Sequence, residues 1–171
     1  MSLTYKKDKL LYLVEGECEA ALIRAIKNEY IYSGKVLVFN PWTKRAGNLT
    51  RNIKKNTICI LIFDTDEYKK GKDKGNQLKE NLKILEKYSK EIIVICQNDT
   101  LEDELVKSCS IKKIEEFLNI KSINEHKKKF IKINNLLSKL KENNFDIKKI
   151  WIGKNLNFLP ENNSEKIKKE V

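Results

Sequence analysis

Two short apolar runs in this sequence each end directly in acidic residues. Residues 10–14 are followed by Glu15, and residues 57–63 are followed by Asp64 and Asp66. Because the carboxyl ends of neighbouring parallel strands meet at one edge of a sheet, we expect these carboxylates to face each other. Converging carboxylates repel one another and favour a bound cation. Ligands that are all oxygen favour Mg²⁺ or Mn²⁺.

The elements that would position these acids alternate between strand and helix patterns. Residues 35–39 and 91–96 predict the second and fourth strands, and residues 17–30 and 78–89 predict two helices. The glycine- and charge-rich residues 67–76 predict an exposed loop. This alternation is typical of an α/β fold of Rossmann-like type, with a mostly parallel four-stranded sheet and helices on both faces.

The chain divides into a core and an extension. We interpret residues 1–110 as the α/β core and residues 111–171 as a mainly helical C-terminal extension packed on the same domain. The extension is expected to contain a short helix, a longer helix, a last strand and a frayed polar tail, at residues 111–118, 125–143, 149–152 and from 160 onward.

Three more acids lie close in sequence to the ends of predicted strands. Glu19 lies in the first turn of the first predicted helix, and Glu102 and Glu104 come soon after the fourth strand. Each also has a structural explanation. Acids are favoured in the first turn of any helix, and Thr100 with Asp103 resembles a capping box.

The order of these motifs resembles a known family. A strand followed by Glu-Gly, and later a strand followed by Asp-x-Asp, resembles the Toprim domain of topoisomerases, primases and several nucleases. The form VEGECEA, with a second acid four residues after the first, is closer to the overcoming-lysogenization-defect (OLD) nucleases and the small RloB-like proteins. The resemblance covers residues 10–108.

The resemblance implies a role for each matching acid. Glu15 would be the catalytic residue, a general acid or base at the scissile phosphate, while Asp64 and Asp66 would hold Mg²⁺ or Mn²⁺. Glu19 would complete a second metal position, and the further acid that follows the fourth strand in this family is matched by Glu102 or Glu104. Two metal ions would clamp the attacking and leaving oxygens of a phosphodiester displacement.

The sequence departs from the family pattern in two places. Glu67 follows the Asp-x-Asp pair, where primase-like members tend to have a small residue. The chain carries no P-loop GxxxxGK[ST] motif, whereas full-length OLD proteins include an ATPase domain. We therefore expect any activity to be independent of ATP hydrolysis in this chain, or to depend on a separate ATPase partner.

The formal charge of +11 fits a nucleic-acid partner, because basic side chains neutralise phosphates. Lys44, Arg45 and Arg51 follow the second strand and are the candidates for phosphate binding. A compositional bias is the alternative, since nearly all of the positive charge is Lys and Lys is abundant throughout. Trp42 is expected to be buried, and His126 is given no catalytic role.

The remaining composition limits the class of protein. Four dispersed cysteines without a CxxC pair do not predict a zinc site. No apolar run approaches the roughly 20 residues that a membrane span needs, and the amino terminus is polar and lysine-rich. We expect a cytoplasmic protein with no membrane partner.

Together, the residues and the resemblance predict Mg²⁺-dependent Toprim-type phosphodiester chemistry on DNA or RNA. The expected protein is a nuclease in phage defence or nucleic-acid processing, with water as the simplest nucleophile. Two alternatives stay open. One is a non-catalytic module that binds nucleic acid or a partner. The other is a small-molecule phosphohydrolase, because FDTDEY superficially resembles the Asp-x-Asp of haloacid-dehalogenase-like enzymes.

Overall fold

The sheet has four parallel strands. The computed structural model describes residues 8–69, 71, 74–121 and 123–170. The strands are β1 (Lys9–Val14), β2 (Lys35–Val38), β3 (Thr57–Asp64) and β4 (Glu91–Gln97). All pair in parallel, in the order β2-β1-β3-β4. The predicted α/β class with a parallel four-stranded sheet is confirmed.

The register brings the carboxyl ends of the strands to one edge of the sheet. Val14 at the end of β1 pairs with Ile62 of β3, and Asp64 at the end of β3 pairs with Gln97 of β4. The chain passes from β1 to β2 on one side and from β3 to β4 on the other, so the strand order reverses between β1 and β3. In open parallel sheets such a point forms the ligand crevice. The expected adjacency of the first and third strands is confirmed.

Helices cover both faces of the sheet. Within the described residues the α-helices are α1 (Glu17–Ile26), α2 (Asp66–Lys69), α3 (Lys74–Tyr88), α4 (Leu101–Ser108), α5 (Ile114–Leu118), α6 (His126–Ile131) and α7 (Leu136–Glu142). Side chains of a strand alternate between faces. Tyr12 and its neighbours on one face of β1 pack with α1 and with α4 to α7, whereas Leu11 and Leu13 pack with α3 and the 3-10 segment Ala46–Asn52.

The extension after α4 packs on the same core as the sheet. Phe117, Phe130 and Leu140 are buried with the residues of β1 and α1. The single long helix expected at residues 125–143 is wrong, because two short helices, α6 and α7, replace it. The side chain of Asn135 accepts a hydrogen bond from the Ser138 N–H at 3.1 Å. This cap starts a new helix and so ends the continuity of the first one.

The last predicted strand and the frayed tail are also wrong. Residues 149–152 form a turn in which Trp151 takes the left-handed φ of 58° and buries its indole ring. A strand cannot include that backbone conformation. The tail returns to the core, where Ile167 is fully buried and Lys168 forms an antiparallel bridge with Ile31.

The loop expected at residues 67–76 is shorter than predicted. Asp66–Lys69 forms α2, and α3 already begins at Lys74. Gly75 is buried, and a side chain there would meet the rings of Tyr68 and Phe158. Residues 70, 72 and 73 of this stretch lie outside the described residues.

The longest α-helix, α3, has 15 residues and carries many charged side chains. No helix in the described part of the chain has the length and apolar character that crossing a membrane requires.

A buried asparagine ties the segment after β2 to α3. The Asn81 side chain accepts a hydrogen bond from the Ala46 N–H at 2.7 Å and donates to the carbonyls of Pro41 and Lys44, both at 2.8 Å. Asn81 is fully buried, so no water can replace these partners. The segment that it fixes follows Asn40, which contacts the acidic residues at the sheet edge.

The first prediction concerns this anchor. Asn81→Ala leaves three backbone groups without their partner, so we expect the free energy of unfolding to fall by about 2–4 kcal/mol. Asn76→Ala, at an exposed position on the same helix, is the control and should change it by less than about 0.5 kcal/mol. Urea unfolding measures both. Equal unfolding midpoints for the two variants would contradict the anchoring role.

Candidate metal centre

Glu15 is held against the end of β3. It comes directly after β1, and its Oε2 accepts a hydrogen bond from the Asp64 N–H at 3.0 Å. Its Oε1 accepts one from the Asn40 side chain at 3.2 Å. Burial raises the pKa of Glu15 to about 7, against the opposing effect of the Asp64 N–H, and the nearby charges of Glu19 and Asp66 add to the rise. Both carboxylate oxygens therefore have fixed positions at the switch point.

Asp64 ends β3 with an unsatisfied carboxylate oxygen. Its carbonyl accepts a hydrogen bond from the Trp42 indole N–H at 3.1 Å, which confirms the expected burial of Trp42. Its Oδ1 is buried and has no hydrogen-bond partner among the described residues. Burial raises the pKa of Asp64 to about 9, and the charges of Glu19, Glu15 and then Glu102 raise it further. A buried oxygen without a partner is costly unless water or an ion satisfies it.

Two acidic residues on helices also lie beside Asp64. Glu19 of α1 is only 8% exposed, and Glu102 lies in the first turn of α4. Burial raises the pKa of Glu19, the charge of Glu102 raises it further, and Lys127 opposes the rise. A side chain at Gly16 would come within 2.9 Å of Glu19 Oε2. The glycine therefore keeps the approach to this carboxylate open.

A cavity of about 170 Å³, which we call the acidic cavity, joins three of the predicted site residues. Asp64, Glu19 and Glu102 line it from three different elements, and Lys127 and Lys128 of α6 also line it. Cys18 is a further lining residue. Burial raises the pKa of its thiol to about 12, which leaves it protonated and a poor nucleophile.

Glu15 and Asp66 lie next to the acidic cavity but do not line it. Asp66 is half-buried in the first turn of α2, where its charge contributes to the raised pKa of both Glu15 and Asp64. The acids predicted from the two motifs are thus within electrostatic reach of one another. Their roles as ligand or catalyst stay predictions.

His126 contacts the site through Glu102. Its Nε2 lies 2.5 Å from Glu102 Oε1, which ties the start of α6 to the first turn of α4. No sequence pattern connects these two residues, because they lie on different helices. The contact holds α6, with Lys127 and Lys128, beside the acidic cavity.

Glu104 has a structural role instead. One carboxylate oxygen accepts a hydrogen bond from the Asn98 N–H at 3.1 Å, and the other accepts one from the Trp151 N–H at 2.8 Å. Glu104 is fully buried and joins the turn after β4 to the extension. The predicted capping box of Thr100 and Asp103 is confirmed, and it orients the first turn of α4 so that Glu102 lines the cavity.

Gln97 is a site neighbour that sequence reasoning missed. It is fully buried, and neither polar atom of its side chain has a hydrogen-bond partner within the part of the chain that the structure describes. Its Cα pairs with that of Asp64, so both side chains leave the same face of the sheet. A polar residue ending the apolar run EIIVIC was the available signal.

The predicted phosphate-binding residues lie elsewhere. Lys44, Arg45 and Arg51 are exposed, on the segment between β2 and β3, and none of them lines the acidic cavity. The cations that do line it are Lys127 and Lys128. A role for Lys44, Arg45 and Arg51 in binding nucleic acid stays a prediction.

The donor set fits a hard divalent cation. Asp64, Glu19 and Glu102 offer carboxylate oxygens, and Asp64 Oδ1 and the Gln97 amide oxygen are buried without partners. Mg²⁺ usually binds one or two protein carboxylates and keeps several waters. Residues 8–69, 71, 74–121 and 123–170 contain no group of three or more His, Cys, Asp or Glu side chains that could hold a metal ion as they stand. Mutual repulsion keeps carboxylates apart when no cation joins them.

The second prediction follows from the pKa of Asp64. The folded protein binds a proton at Asp64 up to about pH 9, whereas the unfolded chain releases it near 3.8. The free energy of unfolding of the metal-free protein should therefore fall as pH rises between these values, by on the order of 4 kcal/mol from pH 5 to pH 8. Asp64→Asn should flatten this dependence, and Glu80→Gln, on exposed α3 surface, should not. Urea midpoints in EDTA test it. An unchanged slope in Asp64→Asn contradicts it.

The third prediction concerns Gln97. Gln97→Met removes an amide without partners and keeps the volume, so we expect the metal-free protein to gain about 1–2 kcal/mol in free energy of unfolding. The same variant should lose part of the stabilisation that Mn²⁺ gives the wild type. Thermal unfolding in EDTA and in Mn²⁺ measures both effects. A variant that is less stable in EDTA would show that the amide has a partner.

No family model, curated protein or solved structure matches this chain. The resemblance to Toprim domains therefore stays a prediction that depends on the two strand-end motifs.

Proposed function

We propose that this chain is a divalent-metal-dependent phosphodiesterase that acts on nucleic acid, a nuclease. The observation that carries this proposal is the buried, unpartnered Oδ1 of Asp64, which lies among carboxylates from three separate elements. Folding has to offset the repulsion between these groups, and a structural role would be served as well by neutral side chains. A cation that offsets the repulsion gives a reason for the cluster.

In this proposal Asp64, Glu19 and Glu102 hold Mg²⁺ or Mn²⁺, with Asp66 contributing from the next helix. The chemistry that such an ion supplies is polarisation of the phosphoryl oxygens and activation of water at neutral pH. Lys127 adds a positive charge to the lining of the acidic cavity. That charge stabilises a phosphate that carries additional negative charge in the transition state.

Glu15 has the position of a group that orients the site. Its two oxygens are held by the Asp64 N–H and by Asn40, so the carboxylate cannot rotate freely. This contact fixes the backbone from which the Asp64 side chain projects. The resemblance also gives Glu15 contact with the scissile phosphate, and both roles require an intact carboxylate.

The small volume of the acidic cavity weighs against the second candidate, hydrolysis of a small phosphate ester. About 170 Å³ is below the usual 300–1,000 Å³ of ligand pockets. A polymer needs only one phosphodiester in the cavity, whereas a small substrate must fit there largely as a whole. The two candidates differ in which substrate the enzyme cleaves.

The fourth prediction tests both candidates in one assay. Single-stranded and duplex DNA and RNA, together with a small chromogenic phosphodiester, are incubated with the protein in Mg²⁺, Mn²⁺ or EDTA. We expect metal-dependent cleavage of nucleic acid, reduced about 100-fold or more by Asp64→Asn and by Glu15→Gln. Glu80→Gln, which changes an exposed acid on α3, should keep full activity.

Three outcomes would decide against the nuclease. Cleavage of only the small ester supports the second candidate. Cleavage that persists in Asp64→Asn shows that the reaction takes place elsewhere. No cleavage in any metal supports a module that binds without catalysis.

A further inference from the structure

Lysines form a stripe along α6 and the turn after it. Lys128, Lys129 and Lys132 follow Glu125 at spacings of three, four and seven residues, which places all four on one side of a helix. Together with Lys139 of α7 they line a groove of about 530 Å³. We call it the lysine groove. Glu125 is the only acid among its lining residues, so the groove has a clear positive excess.

The ammonium groups of the lysine groove lack anionic partners. Lys128, Lys129 and Lys132 are exposed, and none of these side chains forms a salt bridge within the described residues. Lys139 lies over the ring of Phe117, at 5.5 Å from its centroid, and forms no salt bridge there either. Like charges on adjacent helical turns repel one another. A bound anion would relieve this repulsion.

The lysine groove adjoins the acidic cavity across α6. Lys128 lines both of them, and Lys127 lies beside it on the cavity side. Lys127, Lys128 and Ile131 face the cavity, while Lys128, Lys129 and Lys132 face the groove. One short helix thus separates a site suited to a cation from a groove suited to anions. The contact between His126 and Glu102 holds the helix in this position.

We propose that the lysine groove binds the phosphate backbone of a single-stranded nucleic acid whose adjoining phosphodiester lies in the acidic cavity. This inference rests on the proposed nuclease function and names the form of its substrate. A nucleic-acid backbone carries a series of phosphates, so one phosphate can lie at the metal site while the next ones contact the row of lysines. A single strand fits better than a duplex because Asp64 and Glu19 are recessed in a cavity of only about 170 Å³.

The fifth prediction tests the groove by binding in EDTA, where no cleavage takes place. Labelled single-stranded DNA and RNA of about 12 nucleotides are titrated with the full chain, and fluorescence anisotropy reports Kd. Lys128→Gln/Lys129→Gln/Lys132→Gln should weaken binding about tenfold or more. It should also flatten the slope of log K against log salt by about 2, as three lost contacts require.

A matched control separates the groove from net charge. Lys9→Gln/Lys54→Gln/Lys55→Gln removes the same charge from exposed lysines at the amino-terminal edge of the sheet. It should change Kd less than about twofold. The triple Lys→Arg variant of the groove should bind like the wild type. Urea midpoints show whether every variant is folded.

Each outcome assigns failure to one of the two proposals. Equal Kd values for the groove and control triples overturn the groove, and tighter binding of duplex than of single strands overturns the choice of substrate. If the wild type cleaves in Mg²⁺ and the groove triple cleaves equally well, the groove fails while the nuclease stands. If the groove triple loses binding but the wild type cleaves nothing, the nuclease fails while the groove stands as a binding surface.

Discussion

Carboxylates gather at one edge of this sheet because β1 and β3 are hydrogen-bonded neighbours that end at the same level. The register places Glu15 on the Asp64 backbone, and the helices that follow β1 and β4 bring Glu19 and Glu102 to the same cavity. Burial and mutual repulsion raise the pKa of Glu15, Glu19 and Asp64 together. The fold therefore keeps a cluster of acids in place whose ionised form is destabilising, and a divalent cation is the ligand that would stabilise that form.

The helical extension supplies positive charge beside these acidic residues. Residues of α5 to α7 pack in the same apolar cluster as β1 and α1, and so the position of α6 is set by the core. His126 then joins that helix to Glu102. As a result Lys127 and Lys128 line the acidic cavity together with Asp64, and Lys128 also belongs to the lysine groove. The extension thus contributes to the candidate site as well as to the core.

The strands were predictable because short β-branched apolar runs are typical of buried parallel strands. The proximity of Glu15 and Asp64 was predictable because neighbouring parallel strands end at the same edge of the sheet. Other features depend on contacts between distant residues. The left-handed Trp151 is fixed by Glu104, and the break between α6 and α7 depends on the cap at Asn135. In the sequence Gln97 is only a polar residue after an apolar run, and its register with Asp64 is what places it beside the site. The sequence predicts no role for the lysines of α6, and only the packing of α6 against α1 and α5, with the His126–Glu102 contact, gives them a position at the site.

The central claim is that the acidic cavity binds a divalent cation through Asp64. A crystal structure of the protein soaked in Mn²⁺, with anomalous scattering measured at the manganese edge, tests this most directly. The account predicts an anomalous peak in the acidic cavity at a coordination distance of about 2.1 Å from an Asp64 carboxylate oxygen, with Glu19 or Glu102 as a further ligand. An ordered cavity that contains only water at saturating Mn²⁺, with Asp64 still unpartnered, would contradict it.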